Sequence, residues 1–250
     1  MITALMLGRE GSTGFPGKNT FPILGRPMMV YPILAARAAR HVDAIYVSTD
    51  SEKIKQVARE HGAEVIDRPP ELCTREALGE DAFVHGYRYL RDQLGQDLEL
   101  VVLLFCNAPT LLAETLDQGI EILRSDPSLD SAVTVSAYNM WSPIRARREN
   151  AEGLLEPFVP FETFGDLKAI NCDRDSQGDV YFADMSVSIV RPRCLEDLDY
   201  GRLPQRWMGQ RIYPLKQWGG CDIDYDWQVP GVEYWLRRHG FTETETPYAR

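Results

Sequence analysis

The sequence is short of positive charge: 27 Lys and Arg stand against 37 Asp and Glu, for a formal net charge of −10. Proteins that grip nucleic-acid backbones or anionic lipid carry clustered cations, so neither nucleic acid nor a membrane surface is expected as a partner. A nucleotide, which needs only a few local cations, remains open. Nowhere does an apolar run reach the roughly 18 residues needed to cross a bilayer. The opening "MITALMLGRE" has too short an apolar run, with no basic region before it, to predict a secretory leader. Cysteine is scarce and scattered: five residues (73, 106, 172, 194 and 221), odd in number, with no C-x-x-C pair. That predicts neither a disulfide framework nor a zinc site, and fits a reducing cytoplasm. The four histidines (41, 61, 85 and 239) show no metal-ligand spacing. Internal repeats and low-complexity segments are also missing.

What is there reads as one α/β domain over residues 1–250, with 44% hydrophobic residues to build its core. "ITALML" is a buried strand closed by glycine, "AIYVSTD" a strand ending in polar residues, and "AEVI" a third. Between them, "LGRPMMVYPILAARAAR" becomes helical in its second half, and "SEKIKQVAREHG" is a helix stopped by Gly62. This β-α-β-α-β order implies parallel strands joined by right-handed crossovers. "LELVVLLF" is expected to be a central strand covered on both faces. Further helices are predicted around Phe83–Leu94, Leu112–Leu123 and Val232–His239, and further strands at "DSAVTVSAY", "VYFADMSVSIV" and "QRIYPLKQ". The pattern weakens from 139 to 180, which predicts an insertion; residues 140–176 carry Trp141, Phe158, Phe161 and Phe164 without amphipathic period. "TETETPYAR" reads as a short strand or a loose tail.

The first strand runs into "LGREGSTGFPGKNT". It is not a Walker A loop, because Ser12 stands where the glycine should be and Asn19 replaces the hydroxyl. Nor is it a dinucleotide fingerprint, since no two glycines are two apart. What remains is a flexible loop carrying Arg9, Ser12, Lys18 and Asn19. Glycines let backbone N–H groups approach phosphate oxygens, Arg can grip phosphate bidentately, and Lys acts as a point charge. A phosphate cradle and a surface turn with solvated charges both fit this spacing. The second polar stretch is "GCDIDYDW". On an extended chain Asp222 and Asp224 point to one side, where they repel unless a cation lies between them. Mg²⁺ typically uses one or two carboxylates plus substrate phosphates. The other reading makes them turn or cap residues, a role that Asp226, just before the final helix, fits best.

"R-x-x-S-x-G-x-P-x-K-N" (Arg9 to Asn19), "LGRPMMVYPI", "VSTDSEKIKQVAREHGAEVIDRPPEL" and the late "DID", in this order, resemble the cytidylyltransferase family that activates sialic acids and related keto-sugar acids. The likeness is dense over residues 1–72 and returns at 178–190 and 220–236. It implies a Rossmann-like three-layer α/β nucleotidyltransferase domain with a mainly parallel sheet and a small dimerisation insertion at 140–176. By the same resemblance Arg9, Gly11, Ser12, Lys18 and Asn19 would hold CTP, with Asp50 and Arg68 on the nucleotide side, although Asp50 could equally cap its helix. Asp222 and Asp224 would hold Mg²⁺. Arg9, Lys18 and Asp224 would carry the catalytic charge.

Departures from the family pattern concern the acceptor. Thr13 stands where the family usually has Lys; "FCNAP" (Phe105 to Pro109) replaces Q-P-T-S-P, and "QGD" (Gln177 to Asp179) replaces N-G-A. Asn107, Arg174 and Gln177 are the candidate acceptor contacts. Arg145, Arg147 and Arg148 read as a solvated face, the tryptophans at 207, 218, 227 and 235 as core or dimer contacts, and Cys106 as a buried thiol. The expectation is transfer of CMP from CTP to an acidic keto-sugar such as a nonulosonic acid, by a cytoplasmic Mg²⁺-dependent homodimer. Transfer to a sugar phosphate or phosphonate, use of another NTP, and a silent nucleotide binder are the alternatives.

Overall fold

The computed structural model describes residues 1–11 and 13–248; Ser12, one of the expected nucleotide contacts, lies outside them. In chain order the elements are β1 (Ile2–Leu7), β2 (Pro22–Ile23), β3 (Arg26–Pro27), α1 (Val30–Ala38), β4 (Ala44–Thr49), α2 (Glu52–Glu60) and β5 (Glu64–Asp67). There follow α3 (Gly79–Arg88), β6 (Leu100–Phe105), α4 (Ala113–Ser125), β7 (Ser131–Ala137), β8 (Arg147–Glu149), β9 (Leu155–Pro157) and β10 (Tyr181–Val190). The chain ends through α5 (Arg193–Glu196), β11 (Ile212–Gln217) and α6 (Val229–Arg238).

Seven strands form one sheet in the order β11-β7-β10-β6-β1-β4-β5. β1 pairs in parallel with β4 and β6, β4 with β5, and β7 with β11, while β10 is antiparallel to both neighbours. The expected mainly parallel α/β sheet is therefore what the chain builds, with one strand reversed. Side-chain alternation makes it three layers. Ile2, Ala4 and Met6 of β1, with Leu100, Val102 and Leu104 of β6, pack under α1, α2 and α4. Leu5 and Leu7, with Val101 and Leu103, pack under α3. Both faces of these strands are thus apolar, as a sheet covered by helices requires.

Local signals explain the helix boundaries. Ser51 caps α2, its Oγ accepting from the Ile54 amide at 3.5 Å, and Gly62 stops the turn at φ +76°. Pro32 sits in the first turn of α1, where a missing N–H costs nothing. A third cluster, Ile23, Met28, Tyr31, Ile223, Trp235 and Phe241, binds α6 to the β2–β3 hairpin. As far as it is described, over residues 242–248, the final segment is neither a strand nor a loose tail: the Tyr248 ring meets Phe241 edge-on at 5.8 Å, and its hydroxyl accepts from the Ala113 amide at 3.1 Å. Between β7 and β10 the chain forms single 3-10 turns and the small β8–β9 hairpin. Among the described residues no helix is long and apolar enough to cross a membrane.

Candidate active site at the carboxyl edge of the sheet

Because the strands are mostly parallel, their carboxyl ends collect on one edge, where open α/β sheets bind ligands. β1 ends into the Gly-rich loop, β5 into Arg68, β6 into Cys106 and Asn107, and β11 into the acidic segment. These ends enclose a cavity of about 430 Å³ lined by Arg9, Lys18, Asn19, Arg68, Asn107 and Asp224, together with apolar Leu72, Leu78 and Phe105. Six expected site residues are thereby brought together from four separate segments.

Lys18 and Asp224, 206 positions apart, form an ion pair of 2.5 Å across the cavity mouth. Gly14 allows the loop to come this close: a Cβ there would lie 2.8 Å from the Asp224 carbonyl oxygen. Asn19 is buried, and its Nδ2 donates to the Arg9 carbonyl at 3.1 Å, closing the loop on itself. Arg9 turns its guanidinium onto the carbonyls of Cys73 and Thr74 and so fastens the segment after β5.

Arg68 is the buried cation of the site. Its Nε donates to Ser48 Oγ at 3.2 Å and its Nη2 to the Ser48 carbonyl, and among the described residues no carboxylate pairs with it. Burial lowers its pKa below the ordinary arginine value; the Asp50 charge opposes this without forming a direct ion pair. An anion in the cavity would form one. Asp222 does not itself line the cavity; it is half-buried beside Asp224, and its carboxyl is raised above the usual range by burial first and by Asp224 second. The two carboxylates therefore feel each other, as their spacing predicts. Burial pushes the Cys106 thiol up to about 12, so it is a protonated core group and not a nucleophile.

Other expected residues stand elsewhere. Gly11 lies in a small adjoining cleft with Glu10, Gly17 and Ser51. Asp50 neither lines the cavity nor caps α2; its Oδ1 accepts from the Glu10 amide at 3.1 Å and tethers the loop. Arg174 and Gln177 are exposed on the excursion between β7 and β10: Arg174 pairs with Asp175 at 2.7 Å, and Gln177 bonds the Ala169 carbonyl. Neither lines the cavity. Asp226 is not a cap: it is the first residue of a 3-10 turn before α6, and the Gln228 side chain instead accepts from the amides of Asp224 and Tyr225. Arg148 pairs with Glu156 across the hairpin, and Arg145 and Arg147 bond backbone carbonyls. Leu72, Leu78 and Tyr225 also line the cavity; Leu72 closes "RPPEL" without an expected role there, and Leu78 and Tyr225 lie outside the family motifs, Tyr225 directly after "DID".

Residues 3–148 match the family model described as Cytidylyltransferase. The chain belongs to this family. Among curated relatives, the 8-amino-3,8-dideoxy-manno-octulosonate cytidylyltransferase of Shewanella woodyi is 32% identical over 135 residues, 54% of this chain and 52% of the relative. The enzyme of that name from Shewanella amazonensis is 33% identical over 127 residues, 50% of this chain and 49% of the relative. The match to these relatives thus spans about half of their length. A solved CMP:2-keto-3-deoxy-manno-octonic acid synthetase complexed with CTP superimposes with a TM-score of 0.64 at 16% identity, covering 95% of this chain and 98% of its own. A 4-diphosphocytidyl-2C-methyl-D-erythritol synthase from Anaerococcus prevotii does so with a TM-score of 0.61 at 12% identity, covering 95% and 98%. At such identities the likeness shows the shared Rossmann-like cytidylyltransferase fold.

Proposed function

We propose that this protein transfers CMP from CTP to an acidic keto-sugar and releases pyrophosphate, as a cytoplasmic homodimer that uses Mg²⁺. The observation that carries the reading is Arg68, a buried guanidinium without a carboxylate partner among the described residues. It lines one cavity with Arg9, Lys18 and Asp224, in a chain of the cytidylyltransferase family.

Among the described residues no group of three or more His, Cys, Asp and Glu could hold a metal by itself. Two mutually repelling carboxylates do fit an ion whose coordination is completed by phosphate oxygens. Asp222 and Asp224 would hold it, and Mg²⁺ so held supplies charge neutralisation on the phosphates and a lowered pKa for the attacking hydroxyl. Lys18 would exchange Asp224 for a phosphate oxygen. In the chemical step the anomeric hydroxyl attacks the α-phosphorus, a new P–O bond forms, and the bond to the bridging oxygen of pyrophosphate breaks. Arg9 and Lys18 offset the charge that grows on the leaving group, and Arg68 with Asn107 fixes the reactants. No covalent enzyme intermediate is required.

The relatives are named for an eight-carbon amino keto-sugar acid, and the family resemblance for nine-carbon sialic acids, so both chain lengths belong in the test. The insertion supports the dimer: it holds Met140, Trp141, Leu154, Leu155 and Phe158 exposed, a surface that apolar contact with a second copy would cover. The decisive assay measures pyrophosphate release with four NTPs crossed against eight- and nine-carbon keto-sugar acids, sugar phosphates and phosphonates. Release that needs CTP, Mg²⁺ and a keto-sugar acid is expected. Release only with a sugar phosphate or phosphonate, or with none of the acceptors, overturns the reading.

A further inference from the structure

Behind the acidic segment lies a buried polar network centred on Asp184, which is 4% exposed. Its Oδ2 accepts from Ser136 Oγ at 2.7 Å and from Gln217 Nε2 at 2.9 Å, and its Oδ1 from the Ser186 amide at 3.2 Å. Every one of these donors is neutral, and among the described residues no Lys, Arg or His forms an ion pair with Asp184. A carboxylate buried without a counter-ion costs stability, and neutral donors only partly offset that cost. Such a group persists where it does something that a simple apolar contact would not do.

The bonds lead to one destination. Ser136, its hydroxyl hydrogen committed to Asp184, accepts from the Gly220 amide at 3.0 Å. Thr110 Oγ1, 2.9 Å from Ser186 Oγ, accepts from the Cys221 amide at 3.1 Å. Tyr138 donates to the Gly220 carbonyl at 2.8 Å. Asn107 brackets Ile223, donating to its carbonyl at 2.9 Å and accepting from its amide at 2.8 Å. Gly220 is packed so tightly against the network that a Cβ would lie 2.3 Å from Asp184 Oδ2 and 2.4 Å from Gln217 Nε2. The strand that presents Asp184 is bent to do so: the β10–β7 register shifts between Ala183 and Ser188, and Met185 takes a left-handed φ of +63°.

We propose that Asp184 is a positioning residue which, through Ser136 and Gly220, fixes the backbone that carries Asp222 and Asp224. The inference rests on the reading of those two carboxylates given above. An extended segment with alternating acidic residues springs apart unless its backbone is held, so the pair is useful only if something pins the chain between β11 and α6. The network pins the backbone at three points, Gly220, Cys221 and Ile223, on both sides of Asp222 and just before Asp224.

The test compares Asp184→Asn and Ser136→Ala with Asp222→Asn and with Asp130→Asn, a buried aspartate at the other end of β7. Asn keeps the size of Asp184 but turns amide hydrogens toward groups that are themselves donors. Two readouts are used: amide hydrogen exchange at Gly220 and Cys221 in the nucleotide-free protein, and pyrophosphate release titrated with Mg²⁺. In Asp184→Asn and Ser136→Ala the two amides should exchange about 10-fold faster while β1 amides are unchanged. Their kcat should fall and half-saturating Mg²⁺ should rise, by about 10- to 100-fold in combination, with KM for CTP within about 3-fold. Should Asp184→Asn not fold, Ser136→Ala carries the same expectations. Asp130→Asn should leave all of these values unchanged. Wild-type exchange and Mg²⁺ dependence in the network variants, beside an inactive Asp222→Asn, overturn the role of Asp184 alone. A fully active Asp222→Asn overturns the carboxylate reading and the proposal with it.

Discussion

β11 is held at both ends by a glycine pressed against a buried aspartate, and the two ends use their aspartates differently. At the amino end, Asp130 is 1% exposed and a Cβ on Gly209 would lie 2.5 Å from its Cβ. Asp130 is paired with Arg193 at 2.8 Å, and it also accepts from the Gln210 and Arg211 amides at 2.9 Å and from Tyr200 at 3.1 Å. At the carboxyl end, Asp184 accepts from neutral groups alone. The end with a counter-ion lies away from the cavity and has only the fold to stabilise. The end without one adjoins the segment where charge is expected to change with each turnover. A cation beside Asp184 would also stand behind Asp222 and Asp224 and compete with whatever they hold.

The largest effects should therefore appear at the carboxyl end, in turnover. Asp222→Asn and Asp224→Asn are each expected to slow pyrophosphate release by at least about 100-fold, the scale of losing a main electrostatic contact in the transition state. Asp226→Asn, whose side chain takes no part in holding the turn, should be close to wild type. Measuring all three against Mg²⁺ concentration sharpens the contrast, and an essential Asp226 would break it. Next in size are Lys18→Ala and Arg9→Ala, expected to weaken nucleotide binding or turnover by roughly 2 to 4 kcal/mol without unfolding the protein. Calorimetric titration of CTP would detect both, and wild-type affinity and activity in the pair would remove the loop from the site.

At the amino end the effect should be smaller and should appear in stability. Asp130→Asn is expected to cost about 1 to 3 kcal/mol in chemical denaturation, because buried donors lose a charged acceptor, with kcat/KM unchanged. The Asp130 carboxyl is lowered from its ordinary 3.8: burial pushes it up, but the Arg211 and Gln210 amides, Arg193 and Tyr200 together outweigh that. A lowered folded pKa means stability that is fully present above the unfolded value and lost as pH falls through the folded one. Below about pH 4 the wild type should lose stability more steeply than Asp130→Asn, and parallel curves would show that Asp130 is not the titrating group. Smallest of all for the fold is Trp141→Asp, at a residue 64% exposed. It should leave the melting of the sheet unchanged and shift sedimentation at micromolar concentration toward monomer. A wild-type protein already monomeric there, without loss of activity on dilution, argues against the dimer.

The parallel half of the sheet was legible because β1, β4, β5 and β6 are short apolar runs closed by glycine or polar residues, a local signal that survives tertiary packing. The reversal of β10 was not, since "VYFADMSVSIV" has the same alternation whichever way it runs. The tail misled for a related reason: Tyr248 is ordered by Phe241 and the Ala113 amide, partners that no short window contains. In the site, Arg9, Lys18, Asn19 and Asp224 could be picked out because a loop motif and an acidic repeat mark them, whereas Arg68 came only with the family resemblance of "RPPEL". Motifs name residues without naming neighbours, however. The Lys18–Asp224 pair, the tether from Asp50 to Glu10, and the distance of Arg174 and Gln177 from the cavity wall all depend on long-range placement. Asp184 carried no signal at all, since a lone aspartate inside an apolar strand reads as an outward-facing residue.

The reversal of β10 has a consequence for how freely the molecule can change. The chain leaves β7 at Ala137 and re-enters the sheet at Tyr181, and these two residues are register partners. Tyr138 and Val180 close the exit with a backbone bond of 2.9 Å. The long excursion between them is thus a loop whose two feet stand side by side, with no crossover to span. For such a loop the entropy of closure grows only logarithmically, about 0.6 kcal/mol for each doubling of length. Residues can be added or removed there with hardly any strain on the seven strands. The arm's length and sequence are thereby left to be shaped by what it touches, while the sheet and its ligand edge stay fixed.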